Sequence, residues 1–190
     1  MLKKNIENEI IGLYTNNLTN IFSINKISKL LKKKYPFVNK KVSFLINNKI
    51  LNKIEIGKSY LCSLNLDDDK TLLFLTYNEI FKKELLKNSV IKKKNIENFL
   101  SKKALEYKIQ SVFFSNDKLI FILDDLKYRR KIENEFSNLI IIDKNEFLDL
   151  LLENPIYFTD FVVFYGYEKF FELIKINFDE LKNKYSPLKY

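Results

Sequence analysis

The sequence predicts an α+β fold, with a helical and basic first third and a second half in which strands alternate with helices. Two patterns predict it. Apolar residues recur at helical spacing through residues 4–48 and then alternate around Gly57-Lys58, as in a hairpin. After residue 107 continuous apolar runs appear, which are typical of strands buried on both faces, and helical segments separate the later strands.

Charge divides the chain at nearly the same place. Residues 1–66 hold twelve lysines against three glutamates, whereas residues 67–190 balance 21 basic against 21 acidic groups. The whole net charge of +9 therefore lies in the first third. Uniform lysine enrichment would not leave one segment neutral, so the asymmetry indicates a separate basic module that meets a polyanion.

Several classes of site are excluded by composition. The chain has no histidine and one cysteine, Cys62, so it has no internal disulfide, no Ser-His or Cys-His nucleophile pair and no structural zinc site. We expect no cofactor and no bound metal. The N-terminus lacks the pattern of a signal peptide, and no run of about 18 uncharged apolar residues exists. We therefore expect a cytoplasmic protein with no membrane partner.

The first elements follow from apolar spacing. Residues 4–14 place Ile6, Ile10, Ile11 and Leu13 on one helical face, and a very short strand is predicted at Ile21-Phe22. The next helix is predicted over residues 24–34, with Ser23 as its N-cap.

The third helix is predicted over residues 40–48. Pro36 disfavours helix at Tyr35 and ends the second helix, and Asn39 is the expected N-cap of the third. The stretch LNKIEIGKSYLCSLN then alternates around Gly57-Lys58, which predicts a hairpin.

Three helices and a hairpin within about 65 residues resemble the winged helix-turn-helix domain of archaeal and bacterial regulators. The stretches INKISKLLKK and VNKKVSFLINNKILNKIEIGKSYLCSLN carry the resemblance, which implies a DNA-binding domain over residues 1–66. In such domains the third helix enters the major groove of duplex DNA and the hairpin wing touches the backbone or the minor groove. The residues that the resemblance implies in DNA binding are Lys32, Lys33, Lys34, Lys40, Lys41, Ser43, Phe44, Asn47 and, at the wing tip, Lys58.

Those residue types suit a nucleic acid. Lysines release counterions from phosphates and give salt-dependent affinity. Ser43 and Asn47 have side chains that can reach base edges, and asparagine pairs well with adenine. The helix has no arginine, the commonest specific base reader, and a winged helix that serves protein contacts is the alternative.

Residues 67–107 are predicted to form two linking helices, over residues 70–87 and 95–107, with the stretch KNSVIKKK (87–94) as a candidate hinge. Their apolar sides pack either on the C-terminal domain or on a second copy of the chain. The sequence leaves a homodimer and a separate protein partner open.

Residues 108–190 are predicted to form an α/β domain. Strands are expected over residues 109–114, 118–123, 138–142 and 161–166. Helices are expected between them over residues 125–136 and 144–154, and a last helix follows Gly166, which allows the turn out of the fourth strand.

This order of elements resembles archaeal proteins in which a winged helix is fused to a minimal nucleotidyltransferase domain of the polymerase-beta superfamily. The resemblance rests on SVFFSNDKLIFILDDLKYRRKIENEF, LIIIDKNEFLDLL and FVVFYGYEKFFELI. In that family a Phe-Gly-Ser motif holds the nucleotide phosphates, and a Ser-Asp-x-Asp motif about ten residues later holds two Mg²⁺ ions.

The chain departs from that motif at each chemical position. Ser115 follows Phe114 with no glycine between them, and Leu119 takes the place of the second aspartate, so only Ser115 and Asp117 remain. One carboxylate does not hold two divalent ions. The sequence therefore predicts no enzyme: a DNA-binding transcriptional regulator whose degenerate nucleotidyltransferase-like domain serves dimerisation or ligand or partner binding. An active or residual nucleotidyltransferase and an antitoxin-like protein-interaction module are the alternatives.

Overall fold

The computed structural model describes residues 5–57, 59–86 and 93–186, and the predicted α+β class is confirmed. The chain divides into two compact units. The first comprises Met1–Asn78 and Phe178–Tyr190, and the second comprises Glu79–Asn177. The partition predicted from sequence, 1–66, 67–107 and 108–190, stays a prediction. Among the described residues, no helix has both the length and the apolar character required to cross a membrane.

The first unit begins with three helices. Helix α1 spans Ile6–Gly12, and the side chain of Asn5 caps it by accepting the Asn8 N–H. Helix α2 spans Ile24–Leu31, and the predicted cap Ser23 is confirmed because its hydroxyl accepts the Lys26 N–H at 3.2 Å. Helix α3 spans Tyr35–Asn47.

Two boundaries of the helical region were predicted wrongly. Helix α2 ends at Leu31, because Lys32 adopts a left-handed conformation (φ 53°) that terminates the helix. Helix α3 begins five residues before the predicted start, and its N-cap is Lys34 and not Asn39. Pro36 lies in the first turn of α3, where proline is tolerated because the N–H it lacks has no partner within the helix.

A three-stranded sheet completes the first unit. Strand β1 spans Phe22–Ser23, β2 spans Leu51–Ile56 and β3 spans Ser59–Leu64, in the order β1-β3-β2 with both pairs antiparallel. The predicted hairpin is confirmed, and Gly57 has the positive φ (58°) that its turn requires. Lys58, the predicted wing tip, lies outside the described residues.

Aliphatic residues of the helices and of β3 form the core of the first unit, together with one tyrosine. Tyr14 is fully buried, and its hydroxyl donates to the Cys62 carbonyl at 3.0 Å, which satisfies the polar end of the ring. Its ring meets Phe22 edge to face at 5.0 Å between centroids. Val42 and Leu45 of α3 are also fully buried.

Two helices follow the hairpin. Helix α4 spans Asp69–Leu85 and α5 spans Lys93–Lys103, close to the predicted ranges. Most of the candidate hinge, residues 87–92, lies outside the described residues.

The second unit is built on a four-stranded mixed sheet. Strands β4 (Ile109–Ser115), β5 (Lys118–Leu123), β6 (Leu139–Asp143) and β7 (Val162–Tyr165) match the four predicted strands. Their order is β6-β5-β4-β7, with β5 and β6 parallel and the other pairs antiparallel. Side chains on both faces of the β4–β5 hairpin are buried, as the continuous apolar runs predicted.

Helices connect these strands. The helix predicted over 125–136 is shorter: a 3-10 turn spans Leu126–Tyr128 and α6 spans Arg129–Glu133. Helix α7 spans Lys144–Glu153 and begins with a capping box between Asp143 and Glu146. Sequence reasoning missed the short helix α8, Pro155–Thr159; α9 follows Gly166 and spans Tyr167–Ile176, and α10, Phe178–Tyr185, belongs to the first unit.

The free edge of β7 is covered by side chains of α4 within the second unit. The fully buried Glu79 carboxylate accepts the Val163 N–H at 3.1 Å and forms an ion pair with Lys82 at 2.8 Å. Lys82 in turn donates to the Phe161 carbonyl at 3.4 Å. The Glu79–Lys82 pair therefore binds backbone groups at the outer edge of β7, which would otherwise be available to another strand.

Candidate nucleic-acid interface

The surface implicated by sequence is built from α2, the turn after it, α3 and the β2–β3 hairpin. Lys32, Lys33 and Lys34 form the whole turn between α2 and α3. The Lys33 N–H donates to the Ser28 carbonyl at 3.1 Å, and the Ser28 hydroxyl donates to the Lys33 carbonyl at 2.6 Å. The backbone that carries the three lysines is therefore held in one conformation.

The lysines of this region differ in their partners. Within the described part of the chain, the side chains of Lys32, Lys34 and Lys40 are exposed and have no ion-pair or hydrogen-bond partner. Lys41 is half-buried and bound to Glu7 at 2.7 Å, and Lys33 lies 3.9 Å from Glu9. Of the predicted phosphate ligands that the structure describes, Lys32, Lys34 and Lys40 are therefore free, whereas Lys33 and Lys41 are shared with α1.

The exposed stripe of α3 carries Phe37, Lys40, Phe44 and Asn47, which are spaced i, i+3, i+7 and i+10 and so lie on one face. The opposite face is buried through Val38, Val42 and Leu45. Lys40, Phe44 and Asn47 therefore share one surface, whereas Lys41 and Ser43 are half-buried. Asn47 is exposed, and within residues 5–57, 59–86 and 93–186 its amide has no partner.

Ser43 is half-buried on α3, and its side chain lies close enough to Tyr60 of β3 to affect the acidity of that phenol. Burial raises the pKa of Tyr60, and the nearby Ser43 hydroxyl offsets part of that increase. Ser43 is therefore less exposed than Lys40, Phe44 and Asn47.

The hairpin adds a cation that sequence reasoning missed. Lys53 on β2 pairs with Glu55 at 2.6 Å, and its ammonium lies 5.0 Å from the centre of the Tyr60 ring. Alternation along β2 is the signal that could have identified it, because Lys53 and Glu55 share one face of the strand.

Two aromatic residues were also missed. Tyr35 and Phe37 are each 47% exposed, and Phe44 is 50% exposed. Tyr35 and Phe37 belong to the surface of α3 only because the helix starts at Tyr35. Recognising Pro36 as a first-turn residue would have found them.

The residual motif of the second unit lies at the β4–β5 turn. Ser115 is 2% exposed, and its hydroxyl donates to the Ile156 carbonyl at 3.1 Å. Asn116 and Asp117 have φ of 49° and 58°, the pattern of a two-residue type I′ hairpin turn. The Asp117 carboxylate is on an exposed residue, while its carbonyl accepts from the Asn138 side chain at 2.6 Å.

The neighbouring carboxylates have structural partners. Asp124 accepts from the Gln110 side chain, and Asp125 caps the 3-10 turn and pairs with Lys127 at 2.7 Å. That hydrogen bond with Lys127 lowers the pKa of Asp125. In the described ranges no group of three carboxylate or thiol side chains is arranged to hold a metal ion.

Four phenylalanines between residues 158 and 171 lie in the core of the second unit. Phe158, Phe161, Phe170 and Phe171 are at most 1% exposed. Phe170 packs against Phe161 and Phe113, with ring centres 5.0 and 5.1 Å apart. These rings are therefore not available for stacking on bases.

Comparisons with protein-family models, with curated proteins and with solved structures found no match.

Proposed function

We propose that the chain is a DNA-binding protein, and specifically a transcriptional regulator, whose first unit is a winged helix-turn-helix domain that docks α3 in the major groove of duplex DNA. The order α1-β1-α2-α3-β2-β3 and the sheet order β1-β3-β2 support the domain type. The observation that carries the proposal is a set of cations, Lys32, Lys34 and Lys40, which are exposed and unpaired within the described residues, together with the exposed amide of Asn47 on the same helix as Lys40.

Electrostatics make the proposal quantitative. Each lysine that neutralises a phosphate contributes about −0.9 to the slope of log affinity against log salt concentration. Contacts from Lys32, Lys34 and Lys40 correspond to a slope of about −3. Lys33 and Lys41 contribute less, because Glu9 and Glu7 already neutralise them.

The test is fluorescence anisotropy of the full-length protein with a labelled mixed-sequence duplex between 50 and 200 mM salt, roughly the range over which such contacts weaken affinity strongly. The variant with Lys32, Lys34 and Lys40 all changed to glutamine is expected to lose most of the affinity and to flatten the slope by about 2.7.

The matched control changes three exposed lysines of the second unit, Lys94, Lys102 and Lys144, to glutamine. It removes the same total charge and is expected to keep the wild-type affinity and slope. Absence of salt-dependent binding by the wild type, or equal losses in the two triple variants, would overturn the proposal.

The second unit, in this proposal, is a nucleotidyltransferase-like module without transfer activity that serves dimerisation or binds a ligand or partner. Two features support this assignment. The Ser115 hydroxyl donates a hydrogen bond to the Ile156 carbonyl, and Asp117 lies in a tight turn. Glycine suits a left-handed position, so Asp117→Gly preserves the hairpin while removing the carboxylate.

Labelled nucleoside triphosphate with Mg²⁺ or Mn²⁺ tests this part. The expected result is no label transferred to protein or RNA by the wild type. Transfer by the wild type that Asp117→Gly abolishes would overturn it, because the variant keeps the fold of the turn.

A further inference from the structure

The exposed stripe of α3 carries aromatic rings in water. Phe44 is 50% exposed at the centre of the stripe, and Lys40 and Asn47 lie one turn to either side of it. A phenylalanine side chain left in water forgoes the stabilisation that burial would bring. Single exposed apolar residues are common, but this ring lies on the surface that also carries the free cations.

We infer that Phe44 and Asn47 read A·T base pairs, with the Phe44 ring against a thymine methyl group and the Asn47 amide on an adenine. The inference rests on the proposed function and specifies the DNA sequence that the same surface prefers.

Spacing on the helix supports the pairing of these two readers. Phe44 and Asn47 are separated by three residues, so their Cβ atoms are neighbours at about 5–6 Å. Successive base pairs are stacked about 3.4 Å apart, so the two side chains reach the same or adjacent base pairs.

The chemistry of the two side chains is complementary to A·T pairs. Among the bases, only thymine presents a methyl group in the major groove, and phenylalanine is one of the side chains that contact it. An asparagine amide can donate to N7 and accept from N6 of adenine, and Asn47 has both of its polar atoms free within the described structure.

Guanine recognition has a weaker basis on this surface. The commonest specific contacts to guanine come from arginine or lysine, and the chain's two arginines, Arg129 and Arg130, both belong to the second unit. Lys40, the lysine of the stripe, is assigned to a phosphate in the proposed function. Ser43, which could contact any base, is half-buried beside Tyr60. Phe44 and Asn47 are therefore the side chains of the stripe with the strongest base preference.

The test uses full-length protein and three duplexes of equal length: alternating dA-dT, alternating dA-dU and alternating dG-dC. The dA-dU duplex differs from dA-dT only in the absence of the thymine methyl groups. We expect wild-type affinity to fall about fourfold from dA-dT to dA-dU, the change for one buried methyl group, and further for dG-dC.

Two variants test which residue is responsible for each base preference. Phe44→Ala is expected to bind dA-dT and dA-dU equally, and Asn47→Ala to lose most of the preference for dA-dT over dG-dC. Tyr35→Ala is the matched control, because it removes a ring of similar exposure from the same helix, and its spacing of nine residues from Phe44 places it on the other side of α3. It is expected to keep the dA-dT to dA-dU ratio.

The two proposals fail in different ways. If no duplex is bound in a salt-dependent manner, the proposed function fails. If duplexes are bound but the wild type does not distinguish dA-dT from dA-dU, or Phe44→Ala keeps the distinction, the inference fails alone. The exposed ring would then be assigned to a protein contact.

Discussion

Lys33 and Lys41 lie in the same basic stretch as Lys32, Lys34 and Lys40, yet they are shared with the glutamates of α1. Ion pairs at the surface contribute only about 0–1 kcal/mol to stability, and the Lys33–Glu9 pair, at 3.9 Å, is of this kind. The pairs with glutamate matter more for the affinity of this surface for a polyanion, because a neutralised lysine releases fewer counterions when it meets a phosphate. Charge counting along the sequence therefore overstates the number of free phosphate ligands.

Lys32→Gly separates charge from stability. Lys32 holds a left-handed backbone (φ 53°), which costs free energy for any residue with a Cβ, so glycine is expected to raise the free energy of unfolding by up to about 1 kcal/mol. DNA affinity is expected to fall and the salt slope to flatten by about 0.9. Thermal unfolding and anisotropy measure the two effects.

Lys40→Gly is the control for that substitution. Lys40 is exposed and lies inside α3, where the backbone is right-handed, so glycine there removes the same charge without relieving strain. It is expected to lower stability by about 0.5–1 kcal/mol. Equal stability changes in the two variants would contradict the explanation.

The two turn glycines differ in their surroundings. At Gly166 (φ 65°) an added Cβ would lie 1.9 Å from the Gln110 carbonyl oxygen, whereas at Gly57 (φ 58°) it would meet no atom within 4 Å. Gly166→Ala is expected to cost about 3 kcal/mol or more, because the β7–α9 turn must move. Gly57→Ala is expected to cost only about 1 kcal/mol, because it places a residue with a Cβ at a positive φ without a steric clash. Chemical denaturation of both variants tests this, and similar losses would show that packing at Gly166 is irrelevant.

At the scale of elements, the start of α3 changed the interpretation of the candidate surface. Pro36 predicts the end of α2, because proline disfavours helix at the residue before it, but proline also suits the first turn of the next helix. The local sequence does not separate these two roles. Starting the helix at Tyr35 adds more than one turn to α3 and brings Phe37 into line with Lys40 and Phe44.

The cover on the edge of β7 is expected to depend on Glu79. Glu79→Ala leaves the Val163 N–H without its acceptor and Lys82 without its carboxylate, at an expected cost of about 2–4 kcal/mol. Glu79→Gln keeps an acceptor and is expected to cost less. Urea denaturation gives the measurement.

Glu84→Ala controls for the change of charge and of residue type in the same helix. Glu84 is exposed, and its substitution is expected to change stability by no more than about 0.5 kcal/mol. A loss as large as that of Glu79→Ala would assign the effect to helix propensity and not to the strand edge.

At the scale of the whole molecule, alkaline pH is expected to destabilise both units. Burial raises the pKa of Tyr14 and of Tyr167, and it raises that of Cys62 to about 11. Each group is neutral when protonated and holds its proton longer in the folded state. Their contribution to stability is therefore full below the unfolded cysteine pKa of about 8.5 and is lost as pH rises toward 11 and beyond.

Denaturation at pH 7, 9 and 10.5 measures the loss. Cys62→Ala is expected to lower stability at pH 7, since it empties a buried site, and to weaken the dependence between pH 8.5 and 10, where cysteine titrates first. A free energy of unfolding that is constant from pH 7 to 10.5 would contradict the assignment.

The sequence by itself determined the α+β class, the type and order of most elements, and the turns at Gly57 and Gly166. These depend on periodicity and on backbone preferences, which act between neighbours along the chain. That Lys40, Phe44 and Asn47 lie on one face of a helix also follows from the helical repeat alone.

Tertiary structure decided which of those side chains are free. Lys41 meets Glu7 across 34 positions of sequence, and Ser115 meets Ile156 across 41. Ser43 is likewise half-buried beside Tyr60 of the hairpin. Packing brings such partners together, and no local pattern encodes the distance between them, so only the folded chain shows which polar groups remain available to a ligand.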